Sequence, residues 1–174
     1  MQFDRDKFKQ LVHYIAWKAG KRDWFGATKL NKVLWFADAR QFVLHGVPIT
    51  GAIYIREKYG PVPKQMMPIR DELEREGQIS VLKEGNLIRI VASIKPDLSM
   101  FKTEELQGVD YWIDHIDKDH TAGSISEESH DYAWEIAKLG EELPLFAILA
   151  NRIRDPNDEE LEKLRVGAKA RGLI

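Results

Sequence analysis

The side chains of this chain with most chemistry to offer are five histidines, His13, His45, His115, His120 and His130, and a run of cations, Lys18, Lys21, Arg22, Lys29 and Lys32. No histidine belongs to the H-E-x-x-H pattern that sets two imidazoles on one helix face around zinc. The segment Asp114-His115-Ile116-Asp117-Lys118-Asp119-His120 is the one cluster of metal-ligand residue types, and a helix would carry His115 and Asp119 on one face. A solvated polar helix end accounts for that composition equally well, so no metal and no cofactor is assigned. His130 stands four residues before Trp134, a spacing that stacks imidazole over indole on a shared helix face. The plain consequence is a buried histidine packed on tryptophan and hydrogen-bonded to backbone; partner recognition is the alternative. No motif places a second titratable group beside it, so no catalytic residue is assigned and the chain is read as a non-enzyme. Phosphate-cradling loops are absent in both the G-x-G-x-x-G and G-x-x-x-x-G-K-[ST] forms, and Gly123-Ser124 lacks the second glycine of a nucleophile elbow. With no cysteine, thiol catalysis, disulfides and cysteine-ligated zinc are excluded.

The cations raise a different possibility. The formal net charge of −2 conceals a split: residues 1–64 hold 12 Lys/Arg against 5 Asp/Glu, whereas residues 65–174 hold 14 against 23. A lopsided distribution steers charged partners to one face if folding preserves it, and does nothing if folding intermixes the halves. Two amphipathic helices, a third helix and a hairpin follow the order of a winged helix–turn–helix, with Lys18, Lys21, Arg22, Lys29 and Lys32 facing phosphates. Two observations argue against direct nucleic-acid binding. The connection from His45 to Lys64 far exceeds the about 3–4 residues of a helix–turn–helix, and the third helix is net acidic, the wrong sign for a recognition helix.

The elements that must position these groups follow from periodicity. Phe8, Leu11, Val12, Ile15 and Ala19 predict a helix over 4–19. Thr28 as N-cap, the stripe Leu30, Val33, Leu34, Ala37 and Leu44, and Gly46 as stop predict a second over 28–45. Ile53-Tyr54-Ile55 is a short β-prone run, and Gly60-Pro61-Val62-Pro63 reads as a turn. A third helix covers 64–76, starting late or kinking at Pro68, and 79–82 with 87–91 form a hairpin about Lys83-Glu84-Gly85-Asn86. Beyond it, Leu106, Val109, Trp112, Ile113 and Ile116 predict a helix opening at Thr103. Ser124 with Glu127, or Ser126 alone, caps another helix over 127–139, and 144–153 is a short apolar helix. A charged terminal helix runs from Asp155 to about Arg171. Length, 44% hydrophobic and 31% charged residues suit a mainly α, α+β fold: a single compact multi-helix domain over 1–154 with a small β-hairpin or sheet, and an appendage over 155–174. No apolar run reaches ~18 residues and the charged start resembles no signal peptide, so a cytoplasmic protein is expected.

Three segments in this order carry a resemblance: Lys29-Leu30-Asn31-Lys32-Val33-Leu34-Trp35-Phe36-Ala37-Asp38; Gly46-Val47-Pro48-Ile49-Thr50-Gly51 running on to Lys58-Tyr59-Gly60-Pro61-Val62; and Ile125-Ser126-Glu127-Glu128-Ser129-His130 with Trp134. Together, over about residues 29–148, they resemble the Panacea domain of SocA-like antitoxins in bacterial and phage toxin–antitoxin pairs. The resemblance implies an antitoxin that neutralises an adjacently encoded toxin by direct contact. One branch of the family instead delivers its toxin to an ATP-dependent protease. Some members add a DNA-binding domain, for which this chain has no room. Leu30, Leu34, Trp35, Gly60, Pro61, Val62, Ser126, His130 and Trp134 are expected to be structural motif residues. Lys21, Arg22, Lys29, Lys32, Arg56, Lys58 and Tyr59 are the expected partner-binding residues, so reversing Lys29 and Lys32 to Glu should weaken toxin binding without unfolding the domain. Toxin identity and oligomeric state are left open.

Overall fold

The structure, a computed structural model, describes residues 2–152. The helix expected from Asp155 onward lies outside them. Helix α1 (Arg5–Ala19) opens on Asp4, whose carboxylate accepts from the Lys7 amide at 3.0 Å, and buries the expected stripe of Phe8, Leu11, Val12, Ile15 and Ala19.

Helix α2 (Ala27–His45) is the axis of the molecule. Its buried residues run from Lys29 to Ala39 on nearly every side, the signature of a helix enclosed by neighbours rather than laid on a surface. Its N-cap is Gly26, two residues earlier than expected. A Cβ on Gly26 would lie 2.5 Å from the Leu87 side chain and 3.0 Å from the Ile88 carbonyl oxygen, so the close-packed hairpin favours glycine there and leaves Thr28 within the first turn. Gly46, at φ +75°, ends α2 as expected.

Strand β1 (Tyr54–Glu57) pairs antiparallel with β2 (Gly60–Pro63), which corrects the expectation of a turn at Gly60-Pro61-Val62-Pro63. The register places Lys64 opposite Ile53, with the Lys64 amide donating to the Ile53 carbonyl. Pro61 and Pro63 therefore fall at positions where a backbone N–H would point away from β1. Since β2 is the edge of the sheet β2-β1-β5, the missing donors break no ladder. Strand β5 (Glu142–Leu143) completes that sheet. Helix α3 (Met66–Arg75) takes Pro68 in its first turn, where a backbone N–H would have no intrahelical acceptor and its absence costs no hydrogen bond. The hairpin of β3 (Ile79–Glu84) and β4 (Leu87–Ala92) turns on Gly85-Asn86 as expected.

Helix α4 (Thr103–Asp119) buries Val109, Ile113 and Ile116 against α2. The single helix expected over 127–139 is instead two: α5 (Ala122–Glu128) and α6 (Tyr132–Ile136). Thr121 and Ser124 cap α5 reciprocally. The Ser129 hydroxyl donates to the Ser126 carbonyl at 2.6 Å, and Asp131 accepts from the Trp134 amide at 2.8 Å, starting a new helix. Short polar side chains that satisfy local backbone compete with helix continuation in this way. A 3-10 helix (Leu145–Arg152) closes the fold against α2 and α6. The whole is mainly helical α+β, and among the described residues no helix is long and apolar enough to cross a membrane.

Folding also resolves the charge split. Lys7 pairs with Glu105, Lys9 with Glu72 and Glu76, Lys18 with Asp110, and Arg22 with Asp114 and Asp117. The basic N-terminal segment thus lies against acidic residues of α3 and α4, and much of the anticipated basic face is neutralised within the molecule.

Candidate functional site

The three motif segments meet at two buried nodes. At the first, Asp38 of α2 accepts from the Ile49 amide (2.9 Å), the Thr50 amide (3.1 Å), the Thr50 hydroxyl (2.9 Å) and the Tyr54 hydroxyl (2.9 Å). Burial pushes the carboxyl pKa up while those four donated bonds pull it down, and the net direction is upward. Tyr54, packed edge-on to Trp35 at 4.9 Å, is itself pushed well above an ordinary phenol by burial and by the neighbouring carboxylate. The sequence reading missed Asp38; a lone carboxylate between Ala37 and Ala39 in the apolar stripe of α2 was the available signal.

The second node is built on Lys32. One turn before Trp35 and Phe36, its side chain is 1% exposed, and its ammonium donates to the outward-facing Pro61 carbonyl at 3.2 Å. Burial lowers its pKa to about 7. Gly60, at φ +94°, lies directly against it: a Cβ there would stand 2.4 Å from Lys32 Nζ and 2.2 Å from Ser129 Oγ. The break between α5 and α6 supplies the remaining wall. His130 stacks on Trp134 with ring centroids 3.5 Å apart and planes 3° from parallel, although no continuous helix joins them. The Arg56 guanidinium sits 4.2 Å from the same indole and its Nε donates to the Trp134 carbonyl at 2.8 Å, while the indole N–H donates to the Glu57 carbonyl at 3.1 Å. Burial, then the cations Lys32 and Arg56, lower the His130 pKa, and burial raises that of Asp131. His130 Nε2 and one Asp131 carboxylate oxygen are buried without a hydrogen-bond partner among the described residues.

A buried amine beside a serine hydroxyl has the composition of an activated nucleophile. Here Ser129 is 1% exposed and its hydroxyl is engaged by Ser126, so the pair faces the interior of the fold. The node joins α2, the β1–β2 turn and the α5–α6 break. Substituting Gly60 by alanine is accordingly expected to cost about 2–4 kcal/mol, from the left-handed backbone and the collision with Lys32 and Ser129 together. Thermal melts check this; a melting temperature equal to the wild type's would show that the turn can shift at no cost.

The other motif residues fall as follows. Leu30, Leu34 and Trp35 are in the core, Ser126 is buried and donates to the Ala122 carbonyl at 2.7 Å, and Val62 is half-buried. Of the expected partner-binding residues, Lys21, Lys58 and Tyr59 are exposed, with Lys58 over the Tyr59 ring at 5.2 Å. Arg22 is engaged by Asp114 and Asp117, and Arg56 by Trp134. Lys29 and Lys32 are buried, so they offer no accessible charge, and reversing them to Glu would unfold the domain rather than probe a surface.

A second feature lies beside Trp134. Helix α6, β5 and the 3-10 helix frame an apolar groove of about 420 Å³, lined by Ala133, Ile136, Leu143, Pro144 and Phe146 among others. Ile136 and Phe146 are 66% and 60% exposed, Leu139 nearby is 66% exposed, and Glu135, Glu141 and Glu142 are exposed around it.

A family model described as Antitoxin SocA-like, Panacea domain, matches residues 30–135, a span that contains both nodes. No curated protein and no solved structure matches the chain.

Proposed function

The chain belongs to the SocA-like Panacea antitoxin family, and from that premise we propose that it neutralises a toxin encoded beside it by direct protein contact in the bacterial cytoplasm. The family match over residues 30–135 carries this reading. The geometry supports a binding protein rather than an enzyme: of the motif side chains with most chemical potential, Lys32 and Ser129 are buried, and the half-buried His130 is stacked on Trp134. The toxin docks on the groove of α6, β5 and the 3-10 helix. Large apolar side chains clustered at 60–66% exposure favour a protein partner that covers them. The surrounding Glu135 and Glu141, with Glu142 paired to Lys64, favour a partner with an apolar projection flanked by cations.

The test is growth of bacteria that express the neighbouring open reading frame with and without this chain. Wild-type chain is expected to relieve growth arrest, and the double substitution Ile136→Glu with Leu139→Glu is expected to abolish relief while leaving the thermal melt intact. Loss of relief with Lys58→Glu instead would move the interface to the basic turn. A neighbour that is harmless alone would refute the antitoxin reading. Relief that persists in a protease-deficient host supports blocking of the toxin; relief that disappears there would assign the chain to the adaptor branch.

A further inference from the structure

We propose that the junction of α4 and α5 is a binding site for a divalent transition metal of the zinc type, with His115, His120 and Glu128 as its ligands. The inference rests on the geometry of this junction and is independent of the antitoxin reading.

One nitrogen from each imidazole and one Glu128 oxygen lie within 4.8 Å of one another. Sequence alone assembles only His115 and Asp119; Glu128 arrives because the chain reverses at Thr121 and runs α5 back past the end of α4. Two imidazoles and a carboxylate form the ligand set that zinc accepts when a fourth position stays open to water or to a partner's side chain. Bonds of about 2.1 Å at tetrahedral angles need ligand atoms about 3.4 Å apart. His120 Nε2 and Glu128 Oε2 already stand at 3.4 Å, and the Glu128 side chain, 45% exposed, is free to swing.

The surroundings are those of oriented ligands. His115 Nδ1 is held by Asp119 at 2.8 Å, its ring stacks on Tyr111 at 5.8 Å and meets Trp112 edge-on at 5.5 Å. His120 Nδ1 is held by the Ser124 hydroxyl at 3.3 Å. The Asp119 carboxylate accepts from His115 Nδ1–H and the Ser124 hydroxyl engages His120 Nδ1, which leaves Nε2 of each ring turned to the site, the arrangement by which outer groups orient metal-binding histidines. The His115 and His120 rings approach edge to face at 5.1 Å. A bound cation would offset the concentration of Asp119 and Glu128 around them and pin α5 to α4.

The experiment titrates chelator-stripped full-length chain with zinc chloride by calorimetry, alongside thermal melts and the visible spectrum of the cobalt(II) form. One zinc per chain is expected, with a melting temperature that climbs with zinc concentration and a cobalt spectrum of the tetrahedral kind. Both His120→Ala and Glu128→Gln are expected to weaken binding by about tenfold or more, and His45→Ala, on the far end of α2, is expected to leave it unchanged. Glu128→Gln keeps shape at an exposed position, so it stands as the decisive variant if His120→Ala alters the metal-free melt. Absence of zinc uptake, or uptake of equal affinity in wild type and Glu128→Gln, would overturn the proposal.

Discussion

Replacing Asp38 by alanine is expected to destabilise the domain by about 3–5 kcal/mol, the cost of removing one partner from a fully buried charged network. The carboxylate accepts four hydrogen bonds, from two backbone amides and two hydroxyls, all supplied by residues 49–54. Truncation leaves those donors buried with nothing to accept them and opens a cavity beside Trp35 and Tyr54. It also releases the connection that sets β1 against α2, so the effect reaches the Lys32 node through the β1–β2 turn. For a chain of this size the loss corresponds to a fall in melting temperature on the order of 10 °C. Asp38→Asn, which keeps the shape but sets an amide donor against existing donors, should fall between wild type and alanine. Denaturant unfolding and thermal melts measure both. An alanine variant that melts with the wild type would mean that residues 49–54 are held by packing alone.

Lys32→Met is expected to act in the opposite direction. An unfolded lysine keeps its proton to about pH 10.5, whereas burial brings Lys32 in the folded chain to about 7. Between those values the unfolded state binds more protons, so wild-type stability rises as pH climbs from about 7 to 10.5, and the full cost of the buried charge is present below 7. Methionine fills similar volume without the charge and sacrifices only the 3.2 Å bond to Pro61. The variant is therefore expected to exceed wild type by about 2–4 kcal/mol at pH 6 and to converge with it near pH 10. His130 and His13, whose pKa values are lowered chiefly by burial, add their own rise in stability below the ordinary histidine pKa, outside this window. Stability curves at pH 6, 8 and 10 decide the matter; parallel profiles for the two proteins would show that Lys32 keeps its charge through water or through a local opening. A stabilised variant would also mark Lys32 as retained for something other than stability, namely for the position of Gly60–Val62.

Much of this protein is legible in its sequence, for a local reason. The stripe of α1, the apolar run of α2, the Gly85-Asn86 hairpin and the stripe of α4 are written in spacings of two to seven residues, and a stretch of chain takes its backbone from such spacings before it meets a neighbour. The three motif segments carry the family, and the match over residues 30–135 agrees with them. The contact between His130 and Trp134 was legible as well, but on the wrong premise: the helix supposed to align them is interrupted by Ser129 and Asp131, and the rings stack across the break.

What only the tertiary structure decided was the environment of each charge. Lys29 and Lys32 lie on a helix whose cations looked accessible, yet α2 is enclosed on nearly all sides, and burial is a property of what surrounds a helix rather than of its own periodicity. Arg22 and Lys18 meet their acidic partners 92 or more residues away in the chain. Pro61 and Pro63 form a strand because β2 is an edge, and a two-residue β5 exists only because β1 has a free side to offer it. Glu128 reaches His115 and His120 through a chain reversal that no spacing announces. Short-range backbone preference set most of the helices and the β3–β4 hairpin; the β2 and β5 strands, charge pairing and the assembly of both candidate sites depend on long-range contacts, which arise only when the whole chain has packed.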